Sequence, residues 1–481
     1  MSVPSPLPRL VVAGLSGGSG KTIVSLGLLL AAQRRGLPVR AFKKGPDYID
    51  AAWLGWATGG PVHNLDTFLM GFENVVASFT SNAVRGGFNL IEGNRGLYDG
   101  FDAKGTHSTA ELAKALRAPV VLVLDATKVT RTSAAMVLGC QRLDPGVNIV
   151  GVILNHVSGQ RHEQLLREAI EVTCGIPVLG AIPGISRDSL LSERHLGLVV
   201  PEEYPGAESL RGSLESLFEG RLDFERLWKF SCLAPDVDAA EKTGPDLPDG
   251  KGLKVGYLRD SAFTFYYPEN LDHLRAAGAE LLPISALSAT SLPEDIDALY
   301  MGGGFPETHG EALSANKPFL ASLWRAVEGG LPVYAECGGL MLLARAIVWQ
   351  GRKHRMAGIL PFEVEVCTQP QGHGYTELSV DAPNPLFPQG LILRGHEFHY
   401  SRILAGPDLP NTACAVRRGV GCYRGRDGVI VRNLWASYTH LHALATPDWA
   451  RGLLNAARRF ASQKTAVVGA VREPPLRPPD F

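Results

Sequence analysis

Two separated stretches hold side chains whose types and spacing suit a reaction. The first is Val11-Val12-Ala13-Gly14-Leu15-Ser16-Gly17-Gly18-Ser19-Gly20-Lys21-Thr22. Its glycines let backbone N–H groups converge on phosphate oxygens, and the helix that follows adds positive potential. Gly17, Gly18, Ser19 and Gly20 would cradle the phosphates of ATP, Lys21 would neutralise the β and γ groups, and Thr22 would bind Mg²⁺. Gly14 lies six positions before Gly20, one more than the strict spacing of such loops. The second stretch is Tyr334-Ala335-Glu336-Cys337-Gly338-Gly339, a cysteine on a tight strand-to-helix turn. A helix start beside the sulfur is expected to lower the thiol pKa. Gly338 leaves an N–H for an oxyanion, and Gly303 and Gly304, just after another strand, offer a second donor. Ser437-Tyr438-Thr439-His440-Leu441-His442 supplies the base, with His440 preferred and His442 the alternate. A nucleotide site and a thiolate in one chain suggest a ligase that makes its own ammonia.

Further polar groups cluster at strand ends. Glu92 leaves the apolar run Phe88–Ile91, where a second Mg²⁺ contact would come from. Lys43-Lys44-Gly45-Pro46-Asp47-Tyr48-Ile49-Asp50 places two lysines and two aspartates in one loop, a mix that suits a metal nucleotide beside an anionic substrate. A solvated charged loop is the plain alternative. Asp125 is a weaker candidate carboxylate. Asn155 suits either a nucleotide base or the cap of the next helix. Gly395-His396-Glu397-Phe398-His399-Tyr400-Ser401 lacks the spacing of a zinc motif and reads as a surface touching substrate or the other domain, or as a polar strand.

These groups need a scaffold. Leu10–Ala13, Val39–Phe42, Phe88–Ile91, Val120–Leu124 and Val150–Leu154 read as buried parallel strands between helices, an α/β doubly wound sheet with its chemistry at the carboxyl strand ends. A Pro/Gly-rich stretch over 234–252 reads as a linker between a P-loop domain at 9–233 and a second α/β domain at 253–462, with a loose tail over 463–481. The length of 481 residues, 45% hydrophobic and 20% charged, suits two full cores. A net charge of −1 argues against a nucleic-acid partner. The apolar run Ile23–Ala32 is too short for a membrane span. Seven scattered cysteines without a CxxC pair fit a reduced, cytoplasmic setting.

Taken in order, these motifs, with Asn64-Leu65-Asp66, Glu92-Gly93-Asn94-Arg95-Gly96-Leu97-Tyr98-Asp99-Gly100 and Asp260–Asn270, resemble the cobyrinate a,c-diamide synthases over roughly residues 9 to 460. The widened glycine loop is similar to that of the group that includes dethiobiotin synthetase. The resemblance implies an ATP-dependent amidoligase domain followed by a class I glutamine amidotransferase domain. It places Lys21, Thr22, Asp47 and Glu92 on the nucleotide–metal side and Lys44, Tyr48 and Asp50 toward the substrate carboxylate. It implies that Cys337 releases ammonia from glutamine with His440 as base, and that ATP with Mg²⁺ activates a tetrapyrrole carboxylate. A homodimer is one assembly it allows. Asn94-Arg95 departs from corrin-type members, which more often carry a hydrophobic pair, and is similar to the sirohaem branch. Arg95 would pair with a macrocycle carboxylate or a phosphate. A corrinoid is the first choice, and sirohaem, sirohydrochlorin or its nickel complex the second. Cobyric acid synthesis is a third reading within the enzyme class. From another class comes an ATPase switch of the chromosome-positioning type with an inactive amidotransferase-like domain. Such switches carry a lysine where this chain has Ser16.

Overall fold

The computed structural model describes residues 7–184, 193–194, 197–204, 206–237, 248–404 and 411–467. The chain divides into two compact units, Met1–Lys242 and Thr243–Phe481. The division falls inside the Pro/Gly-rich stretch, whose centre lies outside the described residues. The stretch read as a tail begins inside a helix, Asp448–Val467, and its remainder also lies outside them.

The first unit is a seven-stranded, wholly parallel sheet of β1 (Arg9–Gly14), β2 (Val39–Lys44), β3 (His63–Leu65), β4 (Phe88–Gly96), β5 (Val120–Asp125), β6 (Ile149–Val157) and β7 (Val178–Pro183), in the order β3-β2-β4-β1-β5-β6-β7. All five expected strands are present and longer than their apolar runs. Two are additional: β3 is too short to show periodicity, and β7 mixes Gly and Pro into its sequence. Val, Leu and Ile fill the central strands because helices cover both faces. The glycine loop joins β1 to α1 (Lys21–Gln33), and Val24, Leu26 and Leu28 to Leu30 bury that helix in the core. Lys43, at the end of β2, lies opposite Glu92 of β4, and Val12 of β1 lies opposite Glu92 from the other side. Register therefore brings the loop, the lysine and the acid to one edge of the sheet.

The second unit carries a mixed sheet. Five parallel strands run Glu280–Ile284, Lys254–Leu258, Ala298–Met301, Val333–Glu336 and Leu434–Ser437, and antiparallel strands extend the sheet beyond them. Val333–Glu336 is the fourth of these five, an interior strand between Ala298–Met301 and Leu434–Ser437. The cysteine, the glycine loop after Met301 and the histidine segment after Ser437 thus leave three neighbouring strands at the same end.

Candidate active sites

The N-terminal site is an ionic cluster. Lys43 Nζ lies 2.6 Å from Asp50 Oδ2 and 2.7 Å from Glu92 Oε1, with Lys43 1% and Glu92 0% exposed. It also donates to the Gly93 carbonyl at 3.2 Å. The Thr22 hydroxyl donates to Glu92 Oε1 at 3.1 Å and reaches Asp50 Oδ1 at 3.4 Å. Burial alone would push the Lys43 ammonium toward its neutral form, but Asp50 and Glu92 override it and hold its pKa above the usual lysine range. Asp50 is drawn below its ordinary value in spite of burial because Lys43 faces it, whereas burial keeps Glu92 above. Burial and the neighbouring Lys43 charge lower the Lys21 pKa, and its ammonium donates to the Ser16 carbonyl at 3.0 Å.

Asp50 is therefore the aspartate that joins Thr22 and Glu92. Asp47 accepts the Asp50 N–H at 2.9 Å, at the start of α2 (Ile49–Thr58). Burial and the Asp50 charge push its carboxyl up to about 7. Tyr48 occupies the turn between the two aspartates, and its carbonyl accepts from Ala52 N. Lys44 is buried, and burial outweighs Asp66 to lower its pKa. Arg95 is exposed at the end of β4 with φ 50°. Lys43, which the sequence places only within a mixed charged loop, holds the cluster together.

The glycine loop is braced from the side by Asn155, whose amide donates to the Ser19 carbonyl at 3.1 Å. It does not cap the following helix, whose first turn starts after Gly159. Gly20 has φ 92°, and a Cβ there would meet Asn155 Nδ2 at 2.0 Å. Gly18 also takes a positive φ, while Gly17 has open space around it. Asp125 lies apart from this cluster. It pairs with His156 at 3.0 Å and lines a cavity of about 530 Å³ with Thr127, His156 and Ser158.

Three buried polar atoms in and beside the first site stand without a well-formed hydrogen bond, Ser19 Oγ, Ser25 Oγ and Glu92 Oε2, the last two being neighbours. Among the described residues no three His, Cys, Asp or Glu side chains are arranged to hold a metal alone. Mg²⁺ commonly uses one or two protein oxygens plus phosphate oxygens, and Thr22, Asp50 and the free oxygen of Glu92 suit that donor set.

In the C-terminal site Cys337 links Val333–Glu336 to a six-residue helix, Gly338–Leu343, at φ 45° and ψ −96°. For a non-glycine residue that backbone costs roughly 1–3 kcal/mol and persists only where its surroundings hold it. They do so here: Cys337 N–H donates to the Ser437 carbonyl at 2.8 Å, and Gly339 N–H to the Gly302 carbonyl at 3.1 Å. A Cβ on Gly338 would stand 3.0 Å from Gly304 N, and one on Gly303 would stand 2.6 Å from His440 Cε1. The Gly303–Gly304 backbone is thus pressed between the elbow and the His440 ring. His440 Nδ1 lies 3.5 Å from Glu336 Oε2. His442 is committed elsewhere. Its Nδ1 accepts Leu444 N–H at 3.2 Å, which leaves the proton on Nε2, 3.5 Å from Glu269 Oε2.

One expectation is corrected and one pair of alternatives is decided. The Cys337 thiol pKa is raised, not lowered: burial dominates, Glu307, Glu336 and Asp427 add to it, and the Gly338 N–H opposes it only in part. The helix behind the sulfur is too short to reverse this. The stretch Gly395–Ser401 takes the second of its two readings, a polar strand, rather than that of an exposed surface. His396, Glu397 and His399 are buried along the strand Ile392–His399 and the turn after it, where His396 stacks on His440 at 5.0 Å and His399 on Tyr438 at 3.8 Å.

Residues 10–199 match the CobQ/CobB/MinD/ParA nucleotide binding domain, and residues 254–448 the CobB/CobQ-like glutamine amidotransferase domain. The chain is 43% identical over 453 residues to a cobyrinate a,c-diamide synthase of Magnetococcus marinus, covering 93% of this chain and 97% of that protein. It is 38% identical over 460 residues to the protein so named from Dehalococcoides mccartyi, covering 94% and 99%. The one from Archaeoglobus fulgidus is 37% identical over 461 residues, covering 95% and 99%. Identity at this level across both units settles the grouping, and the chain belongs to the cobyrinate a,c-diamide synthase family.

Proposed function

We propose that this protein is an ATP- and glutamine-dependent ligase that converts the a and c acetate carboxylates of cobyrinic acid to amides. One observation carries the reading: a strained cysteine at the end of an interior strand shares the Gly303–Gly304 backbone with a buried histidine. The Cys337 sulfur attacks the glutamine side-chain carbonyl as His440 takes its proton. His440 returns the proton to the departing nitrogen, ammonia leaves, and water hydrolyses the thioester to glutamate. N–H groups of Gly338, Gly303 and Gly304 steady the oxyanion.

In the first unit an acetate oxygen attacks the γ-phosphorus of ATP, ADP departs, and an acyl phosphate forms. Ammonia then adds to the acyl carbon and phosphate leaves. A free carboxylate lacks a leaving group, which is what phosphorylation supplies. Lys21 offsets charge on the transferring group, and Thr22, Asp50 and Glu92 would hold Mg²⁺, which supplies further positive charge at the phosphates. Asp47 sets the start of α2 and so the place of Asp50. Lys44, Tyr48 and Arg95 are the groups proposed for the substrate carboxylates.

The names of the relatives favour a corrinoid over sirohaem-type substrates, so Arg95 is read as a carboxylate partner within a corrinoid enzyme. Against an ATPase switch stands the elbow itself, since an inactive binding module has no use for a strained cysteine beside a positioned histidine. All seven cysteines are free, in keeping with a reducing cytoplasm, and no described helix is long and apolar enough to cross a membrane. A homodimer is the proposed assembly, to be checked by sedimentation. The test of substrate is direct. Purified protein with ATP, Mg²⁺ and glutamine is offered cobyrinic acid, sirohydrochlorin, nickel sirohydrochlorin and sirohaem in turn. Cobyrinic acid should become one mass unit lighter for each of two amides, and preferential conversion of a sirohydrochlorin-type acid would replace the corrinoid reading.

A further inference from the structure

Glu336 immediately precedes the nucleophile and is fully buried. A buried carboxylate is costly unless its oxygens are occupied. Here Oε1 accepts from the Tyr334 hydroxyl at 2.6 Å and from Leu441 N–H at 2.9 Å. Oε2 accepts from the Tyr300 hydroxyl at 3.1 Å and lies 3.5 Å from His440 Nδ1. The two oxygens have separate tasks. One fixes the backbone just after His440, and the other faces its ring. Tyr300 and Tyr334 are held in their protonated, donating form by burial and by the charge of Glu336.

Other groups around the ring do not duplicate this. His396, stacked on His440 at 5.0 Å, is kept neutral by burial, with the nearby histidines reinforcing it. His442 points its Nε2 at Glu269. On the far edge of the ring, Cε1 and Nε2 face Gly303, the side shared with the Cys337 elbow. A carboxylate at Nδ1 keeps the proton there and makes Nε2 the basic nitrogen. It also stabilises the imidazolium formed when the thiol gives up its proton. The need is acute because burial makes this thiol a weak acid.

We infer that Glu336 is the positioning acid of the glutaminase site: it fixes the tautomer of His440 and supports its charged form, acting from the residue next to the nucleophile. This rests on the roles proposed for Cys337 and His440.

The test is Glu336→Gln in the full-length protein, assayed by glutamate release across pH. Glutamine keeps the acceptor for Tyr334 and Leu441 N–H and removes the charge at Oε2. Glutaminase kcat should fall roughly 10²- to 10⁴-fold, the range of a general base that has lost its partner, with KM for glutamine little changed. The ascending limb of the pH profile should move to lower pH, because the imidazolium loses the carboxylate that faces it at 3.5 Å. Glu336→Asp should recover part of the rate, and amidation driven by ammonium chloride should stay near wild type in both variants. A wild-type rate and pH profile in Glu336→Gln would overturn the inference. So would a loss of rate with an unmoved limb, no recovery by Asp and a lowered melting temperature, the pattern of a purely structural residue. Glutaminase activity surviving in Cys337→Ala would instead sink the underlying assignment of the nucleophile.

Discussion

The two sites handle charge in opposite ways. The N-terminal cluster buries Lys43 between two carboxylates and still leaves Ser19 Oγ and Glu92 Oε2 without good partners. The C-terminal site is closed: its cysteine is neutral, and the strained elbow is held by Ser437 on one side and by the Gly302–Gly304 backbone on the other. An incomplete ionic cluster suits a ligand that brings its own charge, as a metal nucleotide does. A closed site that keeps its thiol protonated suits a nucleophile that must stay inert until substrate arrives. The first site should therefore respond to ligand in its stability, and the second to pH in its reactivity.

That contrast can be broken at several points. The largest effect should come from Lys21→Ala, which removes a cation from the transferring phosphate. Amidation should fall roughly 10²- to 10³-fold, the cost of one preorganised electrostatic donor, while glutamate release continues. Next is Lys43→Met, which leaves Asp50 and Glu92 facing each other in a buried place. Denaturant unfolding of the first unit should show a loss of about 3 kcal/mol, the usual cost of removing one partner from a buried pair. An unchanged midpoint would show that the cluster does not hold this edge together.

For Cys337, alkylation by iodoacetamide should accelerate with rising pH and reach no plateau below about pH 9, since the thiolate is scarce until the raised pKa is approached. A plateau near neutrality would contradict a closed site with a protonated thiol. Asp47 gives a smaller effect whose sign can be worked out. Its carboxyl titrates near 7 when folded and near 3.9 when unfolded, so it binds its proton more tightly in the folded state. Its cost to stability grows as pH rises between those values and is constant above them. Asp47→Asn should raise the melting temperature at pH 8 and have much less effect at pH 4. Smallest of all is Gly17→Ala, where a methyl meets open space, and ATP affinity should stay within threefold. Gly20→Ala, by contrast, collides with Asn155 and should lose nucleotide binding.

Much of this was legible from the residues. The strand–glycine–Lys-Thr–helix order located the first site, and Glu-Cys-Gly-Gly the second, because both depend on local backbone chemistry. What depends on strand register was not legible. Lys43 and Lys44 are adjacent, so alternation sends them to opposite faces, but which one meets Glu92 follows from the β2–β4 pairing. Asp47 and Asp50 carry a local signal: an aspartate three residues before another, at a helix start, reads as a cap. In sequence Glu336 stands out only as part of the Glu-Cys-Gly-Gly turn. Its partner is over a hundred residues away in sequence, brought close because Val333–Glu336 runs beside Leu434–Ser437. The thiol pKa went astray for a related reason. A helix start can be read locally, but burial among Leu340, Met341 and Tyr438 and the charges of Glu307 and Asp427 are tertiary facts.

The central claim is that nitrogen is released at one site and an acid is primed at the other. Amidation of cobyrinic acid, followed by mass spectrometry with either glutamine or ammonium chloride as the nitrogen source, tests it most directly in Cys337→Ala. The account predicts that this variant forms no amide from glutamine and keeps near wild-type amidation from ammonium chloride. Amide formed from glutamine in the absence of the sulfur, or failure with both nitrogen sources in a folded protein, would contradict it.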